Sequence, residues 1–173
     1  MMLHDNPQNG PVMRAAKMAL ETGNANYVLI WVPEGLENTL KNLLEKTCCK
    51  RSARKNMQIH AIDWYFESVN RLHCSYGWPH CLGMNSERAN ETPIGLIAER
   101  AFETGNFEEI IGFIPNTQTG NVRQRFHNVM SKRNYNVNDI AAGRAYVSAF
   151  IDFISYLYNL QSGNTGETDC TDQ

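Results

Sequence analysis

Hydrophobic positions along this chain recur with helical spacing. Leu36, Leu40, Leu43 and Leu44 fall at i, i+4, i+7 and i+8, and Val122, Phe126, Val129 and Met130 repeat the pattern. Between them, Ile62, Tyr65, Phe66, Val69, Leu72 and His73 line one face of a longer predicted helix. His60, Asp63, Glu67, Asn70 and Cys74 line the opposite, polar face. The last predicted helix carries Val147, Phe150, Ile151, Ile154, Leu157 and Tyr158 on its main stripe. Phe153, Tyr156 and Leu160 widen that stripe, which suits a central position or a dimer contact. Asn136 is its expected cap, with Asp139 at the third position. No segment alternates with period two. YVLIWV and EIIGFI have strand-like composition, but each follows a helix-capping joint and ends at proline, which favours short helices. The predicted fold class is all-α.

A shift of 82 residues overlays Pro11–Pro33 on Pro93–Pro115 without a gap. Ala16/Ala98, Ala19/Ala101 and the tetrapeptide ETGN at 21–24 and 103–106 are identical, and apolar pairs such as Val28/Ile110 and Trp31/Phe113 follow. Beyond them, Leu40/Val122, Leu44/Phe126, Lys50/Lys132 and Arg51/Arg133 keep the offset, and Cys48, opposite Met130, reads as a small core hydrophobe. A shift of 85 then pairs Phe66 with Ile151, Glu67 with Asp152, Val69 with Ile154 and His73 with Tyr158. Self-similarity at a fixed offset predicts a duplicated helical unit forming a pseudo-two-fold bundle. The expected layout is a single helical domain over 1–160: repeat one at 11–76, a connector at 77–92 and repeat two at 93–160. The polar tail 161–173 is expected to be disordered.

Each piece of the repeat has a mechanical role. Gly10-Pro11 and Thr92-Pro93 set a cap before a proline at the first helical position. Gly23 and Gly105 suit the left-handed residue that closes a helix. Asn24 and Asn106 suit the cap of the next one, the second helped by Glu109. Pro33 and Pro115 end that second helix. The alternative for Gly-Asn, a phosphate loop, lacks the further glycines, the lysine and the preceding strand. The basic pairs Lys50-Arg51 and Lys132-Arg133 end the third helices, where cations favour the helix dipole.

Charge changes the picture little. Sixteen basic and 18 acidic residues create no field that recruits nucleic acid or an anionic membrane. No continuous apolar run reaches the ~18 residues of a membrane span. The start, MMLHDNPQNG, lacks the features of a secretory signal. The expected compartment is therefore the cytoplasm, although a trimmed secreted or periplasmic chain would look the same. Five cysteines, an odd count with Cys48 and Cys49 adjacent, read as reduced thiols.

Candidate chemistry gathers around His73 and the connector behind it. A histidine on an apolar stripe is first a satisfied core residue and second a ligand or acid–base group. His73-Cys74 and His80-Cys81 bracket the start of the connector, and imidazole with thiolate suits zinc, copper or nickel. Their spacing is that of no zinc module. Tyr76 and Trp78, in the same irregular stretch, are candidate binding residues. Asp63 and Glu67, one turn apart, read as an outer helix face. No G-x-S-x-G, H-E-x-x-H, Walker loop or dinucleotide fingerprint is present.

The pieces HDNPQNGPV, ALETGNANYVLIWVP, WYFESVNRLH, NVRQRFHNVM and DIAAGRAYVSAF resemble an uncharacterised bacterial helical family, a domain of unknown function. The resemblance extends to about Leu160 and implies a helical fold with no assigned activity. Relatives often begin His-Cys-Asp before an Asp-Gly-Pro helix start. Here His4, Asp5 and Asn6 precede Asn9-Gly10-Pro11, so the cysteine is missing. Many relatives carry histidine where Arg123 stands, whereas Glu67 and His73 match the family pattern. The His-Cys start also resembles the metal hook of nickel superoxide dismutase, a likeness weakened here by the absent cysteine. By this resemblance a metal set would be His4, Glu67 and His73, with Cys74, His80 or Cys81 as alternatives, and Arg123 joins the binding candidates. The expected function is a non-enzymatic scaffold or a ligand- or partner-binding module, dimeric through the last helix. The alternative is a transition-metal-binding or metal-dependent redox protein.

Overall fold

The computed structural model describes residues 10–49, 55–75 and 93–161. Every regular element among them is helical, as the hydrophobic spacing predicts. In chain order these are α1 (Pro11–Thr22), α2 (Asn26–Leu29), α3 (Glu37–Cys49), α4 (Lys55–Cys74), α5 (Pro93–Thr104) and α6 (Glu108–Ile111). A 3-10 turn (Asn116–Gln118), α7 (Thr119–Lys132) and α8 (Ile140–Gln161) follow. The helices fall into two compact units. One holds the described residues up to 75 together with Tyr135–Val147; the other holds those from 93 to 134 and from Ser148 onward.

Both ETGN joints have the same local construction. Gly23 at φ 73° and Gly105 at φ 72° occupy the left-handed region, open to glycine without a Cβ penalty. The preceding threonine turns its hydroxyl back onto its own helix, 2.7 Å from Met18 O in one joint and 3.0 Å from Arg100 O in the other. Its oxygen also accepts the backbone N–H of the asparagine two residues on, at 3.2 Å in both. The asparagine carboxamides accept from the N–H of Asn26 at 3.0 Å and of Glu108 at 3.2 Å, satisfying an orphan donor of the next helix. Glu109 does not complete the predicted capping box. It turns to the Thr104 hydroxyl (3.2 Å) and to Arg100 Nε (2.7 Å), because an adjacent cation is a stronger partner than a backbone N–H.

Both short helices tighten before the proline. Trp31 and Val32 donate to residues three back, as do Phe113 and Ile114. In the first unit a turn follows with Gly35 at φ 90°, its N–H 2.7 Å from Glu37 Oε2. In the second, the chain makes the 3-10 turn instead. At the start of α1, Gly10 is extended and its carbonyl accepts from Arg14 N–H at 3.0 Å; Thr92 lies outside the described residues.

In the first unit α1 lies against α2, α3 and α4. The buried stripe of α4 is Ala61, Tyr65, Val69 and His73, one residue every fourth position, while Ile62, Phe66 and Leu72 are half-buried at its margins. The fully buried Ala16 lets the Tyr65 ring come close enough to donate its hydroxyl to Ala16 O at 3.1 Å. Burial, and secondarily Cys48, pushes the Tyr65 phenol well above its ordinary value. Cys48 is half-buried and Cys49 exposed; with Cys74 they are free thiols, and Cys81 and Cys170 lie outside the described residues.

The core of the second unit is aromatic. Phe102 stacks on Phe126 at 5.1 Å and meets Phe153 edge-on at 5.1 Å, and Phe107 adds a contact to Phe126 at 5.4 Å. Phe153 is fully buried, at the centre of the apolar stripe and not on its widened margin; Ile151 and Tyr158 are half-buried. The basic end of α7 serves a neighbour: Arg133 donates at 2.6 Å to Phe102 O, an orphan carbonyl in the last turn of α5. Lys132 pairs with Asn128, and Lys50-Arg51 lies outside the described residues.

Two features of α8 depart from expectation. Its cap is Asp139, whose carboxylate accepts from Ala142 N–H at 2.9 Å, while Asn136 closes the preceding turn onto Asn138 N–H. Aspartate wins because Asp139 N–H is already bonded to Asn136 O, which places the first free helical donors after residue 139. Moreover α8 is long and apolar enough, by length and composition alone, to cross a membrane. It carries Arg144 and Asp152 in ion pairs and buries Phe150, Phe153, Ile154 and Leu157, as a core helix does.

Candidate functional site

Helix α4 positions His73 by simple register: four residues after Val69, it falls on the stripe already committed to the core. Its side chain is 3% exposed, and Nδ1 lies 2.6 Å from the backbone carbonyl of Trp31. A carbonyl only accepts, so Nδ1 carries the proton. The Trp31 ring stands edge-on to the imidazole at 6.3 Å. Burial holds the His73 pKa below its ordinary value, more strongly than the Trp31 hydrogen bond raises it. The result is a neutral imidazole fastening α4 to the turn that follows α2.

Glu67 and His73 do not come together. Six residues carry a helix through about 240°, and Glu67 is exposed where His73 is buried. Cys74, half-buried, points its thiol at Asn70 Oδ1, 3.7 Å away. No group of three or more His, Cys, Asp or Glu side chains among the described residues is placed to hold a metal ion. His4, Tyr76, Trp78, His80 and Cys81 lie outside the described residues. Arg123, the remaining candidate, spans the α6–α7 corner: its guanidinium lies over the Phe107 ring at 4.4 Å and pairs with Glu108 at 3.4 Å.

Side chains do converge at a place that no motif marked. In the second unit, α7 and α8 leave an open cleft of about 530 Å³ lined by Asn121, Gln124, Arg125, Asn128, Asp152 and Tyr156. Arg125 pairs with Asp152 and places its guanidinium carbon over the Tyr156 ring, 4.4 Å from its centroid, while the Tyr156 hydroxyl donates to Gln118 Oε1 at 2.7 Å. Gln118 Oε1 also accepts from Asn121 Nδ2 at 3.0 Å. The cleft is thus a connected polar network with a self-neutralised charge pair, rich in carboxamides that each offer donors and an acceptor. One sequence signal was available. At the 82-residue offset, Leu36 and Leu43 become Gln118 and Arg125, so an apolar seam has turned polar.

A family model described as a family of unknown function, DUF6448, matches residues 9–156. The chain belongs to DUF6448. The DUF6448 match spans both His73 and the α7–α8 cleft, so neither lies in an appendage to the family's common part. No curated protein and no solved structure matches this DUF6448 chain.

Proposed function

We propose that the protein is a non-enzymatic helical binding module, built from two descendants of one ancestral helix–joint–helix unit. The observation that carries this is the use made of His73. The residue best suited to chemistry is enclosed in a core, spends its Nδ1 proton on the Trp31 carbonyl and is turned away from Glu67. Support for the duplicated origin comes from the two joints: the same threonine and asparagine bonds recur within a few tenths of an ångström, and the same left-handed glycine, 82 residues apart. A module of this kind presents side chains on a rigid helical frame, and the α7–α8 cleft is where they converge. Dimerisation through α8 belongs to the same proposal, and light scattering of the full chain measures it.

The deciding experiment is elemental analysis of the full chain purified without added metal, run beside His73→Gln. Transition metal far below one equivalent in both proteins is expected. Stoichiometric zinc, copper or nickel that disappears in His73→Gln would restore the metal-binding alternative.

A further inference from the structure

From the α7–α8 cleft we infer that the second unit binds a neutral, hydroxyl-rich ligand, a carbohydrate, and this rests on the binding-module proposal above. The first observation is the change of seam. In the first unit Leu43 is 6% exposed and Leu36 half-buried, so the corresponding seam is closed with hydrocarbon. In the second, Gln118 and Arg125 stand at those offsets and are tied to Tyr156 and Asp152 on the facing helix. The pair is open to solvent, with the Arg125 side chain 38% and the Asp152 side chain 60% exposed, and such pairs add little stability. Where Leu43 closes the first seam, the second is left open to solvent as a cleft.

The second observation is the chemistry of the lining. Arg125 and Asp152 cancel, so an anion or a cation would have to break an existing pair to gain a partner. Around them Asn121, Gln124 and Asn128 present carboxamides from successive turns of α7. Each carries donors beside an acceptor, matching sugar hydroxyls, which both donate and accept. Asn121 gives one N–H to Gln118 and Asn128 Oδ1 takes one from Lys132, which leaves the second N–H of Asn121 and the N–H groups of Asn128 for a ligand. The cleft volume of about 530 Å³ lies in the range of small-ligand sites, and its open form admits either a free sugar or the end of a longer glycan.

The test is a titration of the ¹⁵N-labelled full chain with glucose, galactose and N-acetylglucosamine, followed through the Asn and Gln side-chain amide signals. Parallel arms use the tetrasaccharides of the same sugars. Saturable shifts at Asn121, Gln124 and Asn128 are expected with at least one sugar. The monosaccharide arm reports a free ligand and the tetrasaccharide arm a glycan end. Arg125→Leu, which installs the residue of the first unit, is expected to keep the fold and weaken binding about tenfold or more, because it leaves the Asp152 carboxylate without its partner and puts hydrocarbon into the polar lining. Absence of saturable shifts with every sugar overturns the inference, as does unchanged binding by Arg125→Leu or a response to inorganic phosphate alone. If the sugars fail while elemental analysis still finds no stoichiometric metal, the ligand assignment falls and the binding-module proposal stands.

Discussion

Residues 28–32 and 110–114 lie 82 positions apart, matched in the sequence overlay, and meet different fates. In the first segment Val28, Leu29, Ile30, Trp31 and Val32 are all buried. In the second only Ile110 and Ile114 are; Ile111 is half-buried and Phe113 is 49% exposed, against 5% for its counterpart Trp31. The difference traces to what each segment packs against. Ile30 Cγ2 would lie 2.5 Å from a Cβ on Gly143, while a Cβ on Gly112, the counterpart of Ile30, meets nothing within 4 Å among the described residues. Trp31 has His73 beside it and gives His73 a carbonyl. The same backbone device therefore delivers a core segment in one unit and a partly solvated corner in the other. Local punctuation shapes the chain, but tertiary partners decide burial.

The largest expected contrast follows directly. Trp31→Ala should cost about 3–5 kcal/mol as a core truncation, and Phe113→Ala less than about 1 kcal/mol. Urea midpoints of the two variants against the parent measure it. Equal losses would mean that the solvated corner is a core after all.

Gly143 and Gly112 sharpen the contrast by reversing its sign. Gly143→Ala drives a methyl into Ile30 Cγ2, with the Tyr135 ring 3.1 Å away on the other side, and overpacking of that kind should cost about 1–3 kcal/mol. Gly112 has helical φ of −64° and open space, so Gly112→Ala should stabilise by about 0.5 kcal/mol through the unfolded chain. Thermal midpoints moving the same way in both variants would contradict the packing difference.

Much of this architecture is legible in the sequence because its signals are local. Helix spacing and the left-handed glycines need only a few neighbouring residues to define them, and each appears where the pattern puts it. Asn24 and Asn106 stand one residue before the N-cap positions, Ala25 and Phe107, and still accept from the first helical N–H. What is not legible depends on distant partners. Nothing near Gly143 announces that residues 135–147 pack with the first unit, where Arg144 bonds Glu37 at 2.7 Å and Asn138 meets Asn26 at 3.1 Å. The displaced cap at Asp139 is a local exception: the choice between Asn136 and Asp139 depends on the turn, closed by Asp139 N–H on Asn136 O, that precedes the helix in the chain. The candidate site divides similarly. His73 as a core residue was readable from its stripe, whereas the cleft needed Arg125 on α7 and Asp152 on α8 to be brought across a sequence gap of 27 residues.

The buried His73 adds a pH dependence to the first unit. Its folded pKa is depressed below the ordinary 6.5, so the unfolded chain takes up the proton first. The contribution is fully present above pH 6.5 and is lost as pH falls from 6.5 toward the folded pKa, at a limit of about 1.4 kcal/mol per pH unit. Urea midpoints at pH 7.5 and 5.5 should therefore separate for the parent and converge for His73→Gln, which keeps a donor for the Trp31 carbonyl. A parent whose midpoint rises on acidification would show that His73 is protonated within the fold, the Trp31 hydrogen bond outweighing burial.

The smallest effect concerns the joints, where the two units are alike. Asn24→Ala and Asn106→Ala each remove one carboxamide that satisfies an orphan N–H, so each should cost about 1 kcal/mol. The second joint has an additional tie, from Glu109 to the Thr104 hydroxyl and Arg100, but neither contact reaches the N–H of Glu108 that Asn106 serves. Redundancy therefore cannot rescue Asn106→Ala, and the two losses should agree within about 0.5 kcal/mol. Glu109→Ala, by contrast, touches a pair whose arginine is largely open to solvent and should cost no more than about 1 kcal/mol. If Asn24→Ala costs about 2 kcal/mol and Asn106→Ala nothing, the caps share a geometry without sharing a function. The joints would then be equivalent in shape alone, as the segments that follow them already are in sequence alone.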